Sequence, residues 1–206
     1  KVGESSEISL MNMPTGSGKT LCSIKFALER ALRSGKKRII YIIPFNSIID
    51  QTVGEFEGIF QEDAEILRHQ SSFSYEDDDG DEPSSEDYRD AMKNATENWD
   101  CKLVVTTAVQ FFESIYSDRK KKLRKLHNMA DSILIFDEAH LMPQNWLQPC
   151  LQAVSFLTKY FHSEAVFLTA TMPDFKKLVQ KYALSSSQVT DLIEDTSAFH
   201  NFKKCH

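Results

Sequence analysis

Residues Met13–Thr20 read M-P-T-G-S-G-K-T. Before them lies a short apolar stretch with Ile8, Leu10 and Met11; after them Leu21, Ile24, Leu28, Ala31 and Leu32 recur at helical spacing, with Gly35 as a stop. A strand, a glycine-rich turn and a helix in that order suit a phosphate-cradling loop. Gly16 and Gly18 permit the tight turn that brings backbone N–H groups to an anion, and the helix start adds its positive end. Pro14, Thr15, Gly16, Ser17 and Gly18 would line the cradle, and Lys19 would reach the β- and γ-phosphates of a nucleotide. Thr20 would offer its hydroxyl to Mg²⁺. The generic pattern is G-x-x-x-x-G-K-[ST], and its first glycine is Met13 here. Taken alone, the stretch also reads as a glycine-rich turn without a ligand.

A second stretch decides between those readings. Ser132–Phe136 (S-I-L-I-F) is continuously apolar, as a strand buried on both faces of a parallel sheet would be, and Asp137–His140 (D-E-A-H) follows it. Ligands bind at the C-terminal ends of strands in open α/β sheets. Asp137 would hold Mg²⁺, directly or through water, and Glu138 would orient and deprotonate an attacking water. D-E pairs also occur as plain acidic turns. In this order with the glycine-rich loop, the pair points to nucleoside triphosphate hydrolysis.

The rest of the chain fits one α/β domain. Strands are predicted over Ile8–Asn12, Arg38–Ile43, Glu65–Arg68, Lys102–Thr106, Ser132–Phe136 and Ala165–Thr169. Helices are predicted over Lys19–Ser34, Ser47–Phe60, Ser85–Asn98, Thr107–Ser117, Gln144–Tyr160 and Pro173–Ala183. Alternation of this kind argues a mostly parallel sheet with helices on both faces. The lobe is expected over residues 1–185 and a trailing linker over 186–206. The first residue is Lys1, not Met, which suggests a fragment of a longer protein.

At 206 residues the chain can bury one sizeable core. Nothing in it reads as a membrane span or a signal peptide. Cys22, Cys101, Cys150 and Cys205 are scattered, which suits a reducing cytoplasm and neither a disulfide frame nor a zinc site. The net charge of −6 is no footprint for nucleic acid. Much of it sits in residues 76–87 (E-D-D-D-G-D-E-P-S-S-E-D), which read as a solvated, disordered insertion. The basic run Arg119–Lys125 reads as the exposed end of a helix, or as a contact to a phosphate backbone.

With these motifs in place, the chain resembles one RecA-like lobe of a superfamily 2 helicase, in which ATP lies between two such lobes. The variant x-P-T-G-S-G-K-T is the helicase form of the phosphate loop. Pro44–Gln51 (P-F-N-S-I-I-D-Q), Thr106–Ser114 (T-T-A-V-Q-F-F-E-S), D-E-A-H and Thr169–Pro173 (T-A-T-M-P) are similar to the further motifs, in the expected order. Within that superfamily, I-P-F-N-S-I-I-D-Q, R-H-Q-S-S (Arg68–Ser72) and V-V-T-T-A-V-Q-F-F-E-S resemble the helicase portion of the CRISPR-associated helicase–nuclease of type I interference systems.

The resemblance implies roles by position. Phe45, Asn46, Ser47, Thr106, Thr107 and Gln110 would track a single-stranded DNA backbone. His140, Thr169 and Thr171 would couple the nucleotide state to lobe movement. Thr107 also reads as a helix N-cap. The implied partners are the second RecA-like lobe, a nuclease domain and the CRISPR effector complex. No H-D pair of the nuclease type occurs, so cleavage is not assigned to this chain. Without the second lobe's arginine fingers, the lobe alone should turn over slowly. Two alternatives share these residues: a lobe of a DEAH-type RNA helicase or restriction-type translocase, and a non-hydrolysing nucleotide-sensing module.

Overall fold

Seven strands form a single sheet in the order β3-β4-β2-β5-β6-β1-β7, and each pairs in parallel with its neighbours. They are β1 (Ile8–Asn12), β2 (Arg38–Ile43), β3 (Ile66–His69), β4 (Leu103–Thr107), β5 (Ser132–Phe136), β6 (Glu164–Thr169) and β7 (Val189–Asp191). The helices are α1 (Lys19–Ser34), α2 (Ile49–Phe60), α3 (Ala108–Tyr116), α4 (Lys120–Met129), α5 (Leu147–Tyr160) and α6 (Phe175–Tyr182). This computed structural model describes residues 7–14, 16–60, 65–69, 98–117, 120–142, 144–169, 175–182 and 189–193. The acidic run 76–87, the helix expected over Ser85–Asn98 apart from its last residue, and positions 70–72, Thr15 and Thr171 lie outside those residues.

Strand side chains alternate between faces, and that divides the core in two. Ile39, Tyr41 and Ile43 of β2 join Ile133 and Ile135 of β5 in a layer with Ile24 and Ala27 of α1 and Val53 and Phe56 of α2. Ile40, Ile42, Leu134 and Phe136 face the other way, toward α3, α5 and α6. Helices therefore cover both faces, as the apolar strands require. On the second face Phe136 stacks on Phe167 with ring centroids 4.9 Å apart, and Phe111 meets Phe136 edge-on at 5.4 Å. Each such pair adds about 0.5–1.5 kcal/mol beyond burial.

The expected α/β sheet is the one found, and it is parallel throughout the described residues. The differences lie at element ends and in two elements outside those predicted, helix α4 (Lys120–Met129), which takes up the basic run, and strand β7. The helix read from Ser47 opens instead with a 3₁₀ turn, Asn46–Ile48, before α2. The helix read from Gln144 likewise begins as a 3₁₀ turn, Gln144–Trp146, with α5 starting at Leu147. Pro149 thus falls in the first turn of α5, where its missing N–H leaves no helical bond unmade. Val189–Asp191 lie within the stretch expected to be a linker, yet they pair with Ile8–Leu10 as the edge strand β7. Three residues are too few to show a strand period. Lys176 of α6 pairs with Asp191 and ties that edge down. Among the described residues, no helix is long and apolar enough to cross a membrane.

The parallel arrangement has one consequence for function. The C-terminal ends of β1, β2, β4, β5 and β6 all lie at the same edge of the sheet. The motifs singled out from the sequence begin at or just after those strand ends.

Candidate active site

The loop after β1 is built for an anion. Gly16 and Gly18 both take left-handed backbone (φ 77°), which side-chain-bearing residues rarely adopt. A Cβ at either position would meet nothing within 4 Å, so backbone conformation, not crowding, calls for glycine. Ser17 closes the turn onto Pro14, its hydroxyl donating to the Pro14 carbonyl at 2.6 Å. Gly18 is the N-cap of α1 without a side-chain cap, and the first turn of α1 carries no acidic residue. The helix therefore presents uncapped N–H groups and its positive end to this loop.

The turn after β5 supplies the opposite charge. The Lys19 ammonium is paired with Glu138 Oε1, and the two side chains are 8% and 23% exposed. β6 lies between β1 and β5 in the sheet, so the pair bridges the crevice across that strand's end. The Met13 N–H donates to the Thr169 carbonyl at 3.0 Å and fixes the start of the loop against β6. Glu138 has left-handed backbone (φ 46°, ψ 47°), a conformation that costs a non-glycine residue about 1–2 kcal/mol. His140 Nδ1 lies 3.3 Å from Glu138 Oε2, without hydrogen-bond alignment.

Asp137 is anchored from both sides. Its N–H donates to the Ile42 carbonyl at 2.8 Å. Its Oδ1 accepts from the Glu138 N–H at 2.9 Å, and its Oδ2 accepts from the Tyr41 hydroxyl at 3.1 Å. Burial raises the Asp137 pKa above the usual carboxylate range, the neighbouring Glu138 charge adds to that, and Lys19 opposes it. A site that burdens a carboxylate in this way favours a cation beside it. Thr20 and Asp137 provide the hard oxygen donors that Mg²⁺ takes, and both lie beside the Tyr41 phenol. No cluster of three or more His, Cys, Asp or Glu suited to a metal occurs among the described residues. A magnesium ion shared with phosphates needs no such cluster.

The residues expected to meet nucleic acid divide in two. Phe45, Asn46 and Ser47, after β2, are exposed. The adjacent strand β4 brings Thr107 and Gln110 to the same edge. Thr107 Oγ1 accepts from the Gln110 N–H at 3.3 Å, so Thr107 is the N-cap of α3. Thr106 differs from the expectation of a backbone contact. It is fully buried, and its hydroxyl lies 3.2 Å from His69 Nδ1. Strand alternation sends the two threonines to opposite faces, and Thr107 is buried as well, its hydroxyl turned to the start of α3. The basic run also divides: Arg124 is exposed, whereas Lys125 is buried, with Nζ 2.8 Å from His69 Nε2 and 5.2 Å from the Trp99 ring centre.

Sequence reasoning missed Tyr41. It reads as one more core residue in R-I-I-Y-I-I, and only its register opposite Ile135, two residues before Asp137, signals otherwise. An apolar cavity of about 480 Å³ lies elsewhere, between α3 and α5, walled by Val109, Phe112, Tyr116, Met142 and Trp146. Its lining does not suit a triphosphate.

The profile of the DEAD/DEAH box helicase family matches residues 4–179. The chain is 28% identical over 191 residues to the CRISPR-associated nuclease/helicase Cas3 of Haloferax volcanii, a match that covers 86% of this chain and 20% of that relative. The fold is similar to that of the helicase MrfA, solved bound to DNA and AMPPNP (TM-score 0.64, 17% identity, 92% of this chain and 25% of that one). It is also similar to the Hef helicase domain of Pyrococcus furiosus (TM-score 0.61, 16% identity, 96% of this chain and 38% of that one). The loop and the acidic turn that meet at the sheet edge are thus carried on a helicase fold, and the chain belongs to the DEAD/DEAH box helicase family.

Proposed function

We propose that this chain is the ATP-binding motor lobe of an ATP-dependent single-stranded DNA helicase or translocase acting in CRISPR interference. The observation that carries the reading is the meeting of Lys19, Glu138 and Asp137 at one sheet edge beside the uncapped start of α1. The backbone of Pro14–Gly18 would cradle phosphates, with Lys19 on the β- and γ-phosphates. Thr20 and Asp137 would hold Mg²⁺. That ion, when bound, would neutralise charge on the phosphate oxygens. Glu138, released from Lys19 by the competing phosphate, would orient a water and accept its proton. His140, beside Glu138, and Thr169, bonded through its carbonyl to Met13, would pass the nucleotide state to neighbouring elements.

Phe45, Asn46, Ser47 and Gln110 form the surface proposed for the DNA strand; the buried Thr107 and Thr106 would support it from below, through the α3 cap and through His69. Hydroxyl and amide groups suit contacts to phosphate without reading sequence. The likeness to Cas3 supports the CRISPR assignment, and a second RecA-like lobe, a nuclease domain and an effector complex are the partners it suggests. The assignment is tested by ATP turnover of the full-length protein with single-stranded DNA, with single-stranded RNA and with neither, beside a Lys19→Ala control. Stimulation by DNA that vanishes in the control is expected. Stimulation by RNA alone would favour an RNA helicase, and no turnover with any strand would favour a nucleotide-sensing module.

A further inference from the structure

Tyr41 is fully buried in β2, with its ring held edge-on against Phe56 of α2 at a centroid distance of 5.0 Å. Its hydroxyl donates to Asp137 Oδ2 at 3.1 Å, while the backbone N–H of Glu138 occupies Oδ1. The hydroxyls of Thr20 and Ser23, in the first turns of α1, lie beside the same phenol oxygen. Ser23 is itself buried and donates to the Thr20 carbonyl at 2.9 Å. One phenol thus bonds Asp137 on one side of the crevice that would carry a cation and lies beside Thr20 on the other.

We propose that Tyr41 is a positioning residue for the metal–nucleotide site, acting through Asp137 and Thr20. The proposal rests on the nucleotide reading above. A carboxylate turns easily about its terminal torsion, so a free Asp137 would sample many orientations. Donors on both oxygens fix its plane, and the packing of Tyr41 against Phe56 fixes the donor. A phenol is protonated at neutral pH and so serves as the donor in this bond. Removing a group that orients a metal ligand typically weakens metal affinity or activity by 10–100-fold.

The test uses the full-length protein and its Tyr41→Phe variant, which keeps the ring and removes the donor. Two quantities are measured: affinity for a fluorescent ATP analogue in excess EDTA, and the Mn²⁺ concentration that half-saturates the nucleotide complex by electron paramagnetic resonance. The metal-free affinity should stay close to wild type, and the Mn²⁺ requirement should rise by about ten-fold or more. Ser23→Ala, which leaves the Tyr41–Asp137 bond in place, should shift the Mn²⁺ requirement less. An unchanged Mn²⁺ requirement in Tyr41→Phe overturns the proposal, and so does an equal fall in metal-free and metal-dependent affinity, which marks a purely structural role. Lys19→Ala separates the two readings. If it binds the analogue like wild type, the nucleotide reading fails and the Tyr41 proposal falls with it. If it loses binding while Tyr41→Phe keeps its metal response, only the Tyr41 proposal fails.

Discussion

Lys19 and Glu138 meet in an ion pair 119 positions apart in the chain, one at the first turn of α1 and the other in the turn after β5. The lysine is 8% exposed and the glutamate 23%. A triphosphate in the loop would compete for the same ammonium, so binding and release of the glutamate are linked. A hydrogen bond to a charged group contributes about 1.5–3 kcal/mol. Lys19→Ala should therefore weaken ATP binding by about ten-fold or more, as measured by titration with a fluorescent analogue. Affinity equal to wild type would contradict the role given to Lys19.

Thr107 serves the fold before it serves any strand. Its hydroxyl caps α3 by accepting from the Gln110 N–H. Thr107→Ala should lower stability by about 1 kcal/mol in urea unfolding, and Thr107→Ser should restore most of it. An unchanged unfolding midpoint in Thr107→Ala would show that the cap contributes nothing.

Phe45 is a different case. It is 55% exposed at the end of β2 and makes no large contribution to the core. Phe45→Ala should leave stability within about 0.5 kcal/mol of wild type. It should weaken binding of single-stranded DNA, by up to the ~1–3 kcal/mol of one aromatic–base stack. Fluorescence anisotropy with a labelled oligonucleotide reads the loss, and unchanged affinity would remove Phe45 from the proposed interface.

The two thiols on α1 and α5 should react differently. Burial pushes the Cys150 thiol up to about 11, while Cys22 is exposed. A raised thiol pKa means less thiolate at a given pH. At pH 8 Cys150 would be about one part in a thousand ionised, and its reactivity should climb as pH rises toward 11. Iodoacetamide labelling followed by mass spectrometry should modify Cys22 well before Cys150 at pH 8. Equal rates would mean that the α3–α5 side of the molecule opens readily.

Much of this was legible in the sequence because the informative positions are constrained locally. Glycines at positive φ, a lysine and a threonine in fixed spacing, and two carboxylates after an apolar strand each carry their geometry with them. The strands read well because a parallel sheet covered on both faces leaves continuous apolar runs such as 39–43 in β2. What was not legible depends on pairing across the sheet. Tyr41 looks like core until β2 is laid beside β5, and Thr106 looks like a donor until His69 and Lys125 are found behind it. Lys125 sits in a charge run that reads as solvated, and only its contacts with His69 of β3 and the Trp99 ring show it turned inward. The edge strand Val189–Asp191 gives no pattern at all, since its partner β1 lies far away in sequence.

The central claim is that Glu138 activates water for ATP hydrolysis at this edge. Its most direct test is the steady-state ATP turnover of full-length wild type and Glu138→Gln in the presence of single-stranded DNA, with ATP affinity measured in parallel. Loss of a general base typically costs about 10²–10⁴-fold in rate. The account predicts a loss of that size with ATP binding retained. Turnover in Glu138→Gln equal to wild type would contradict it.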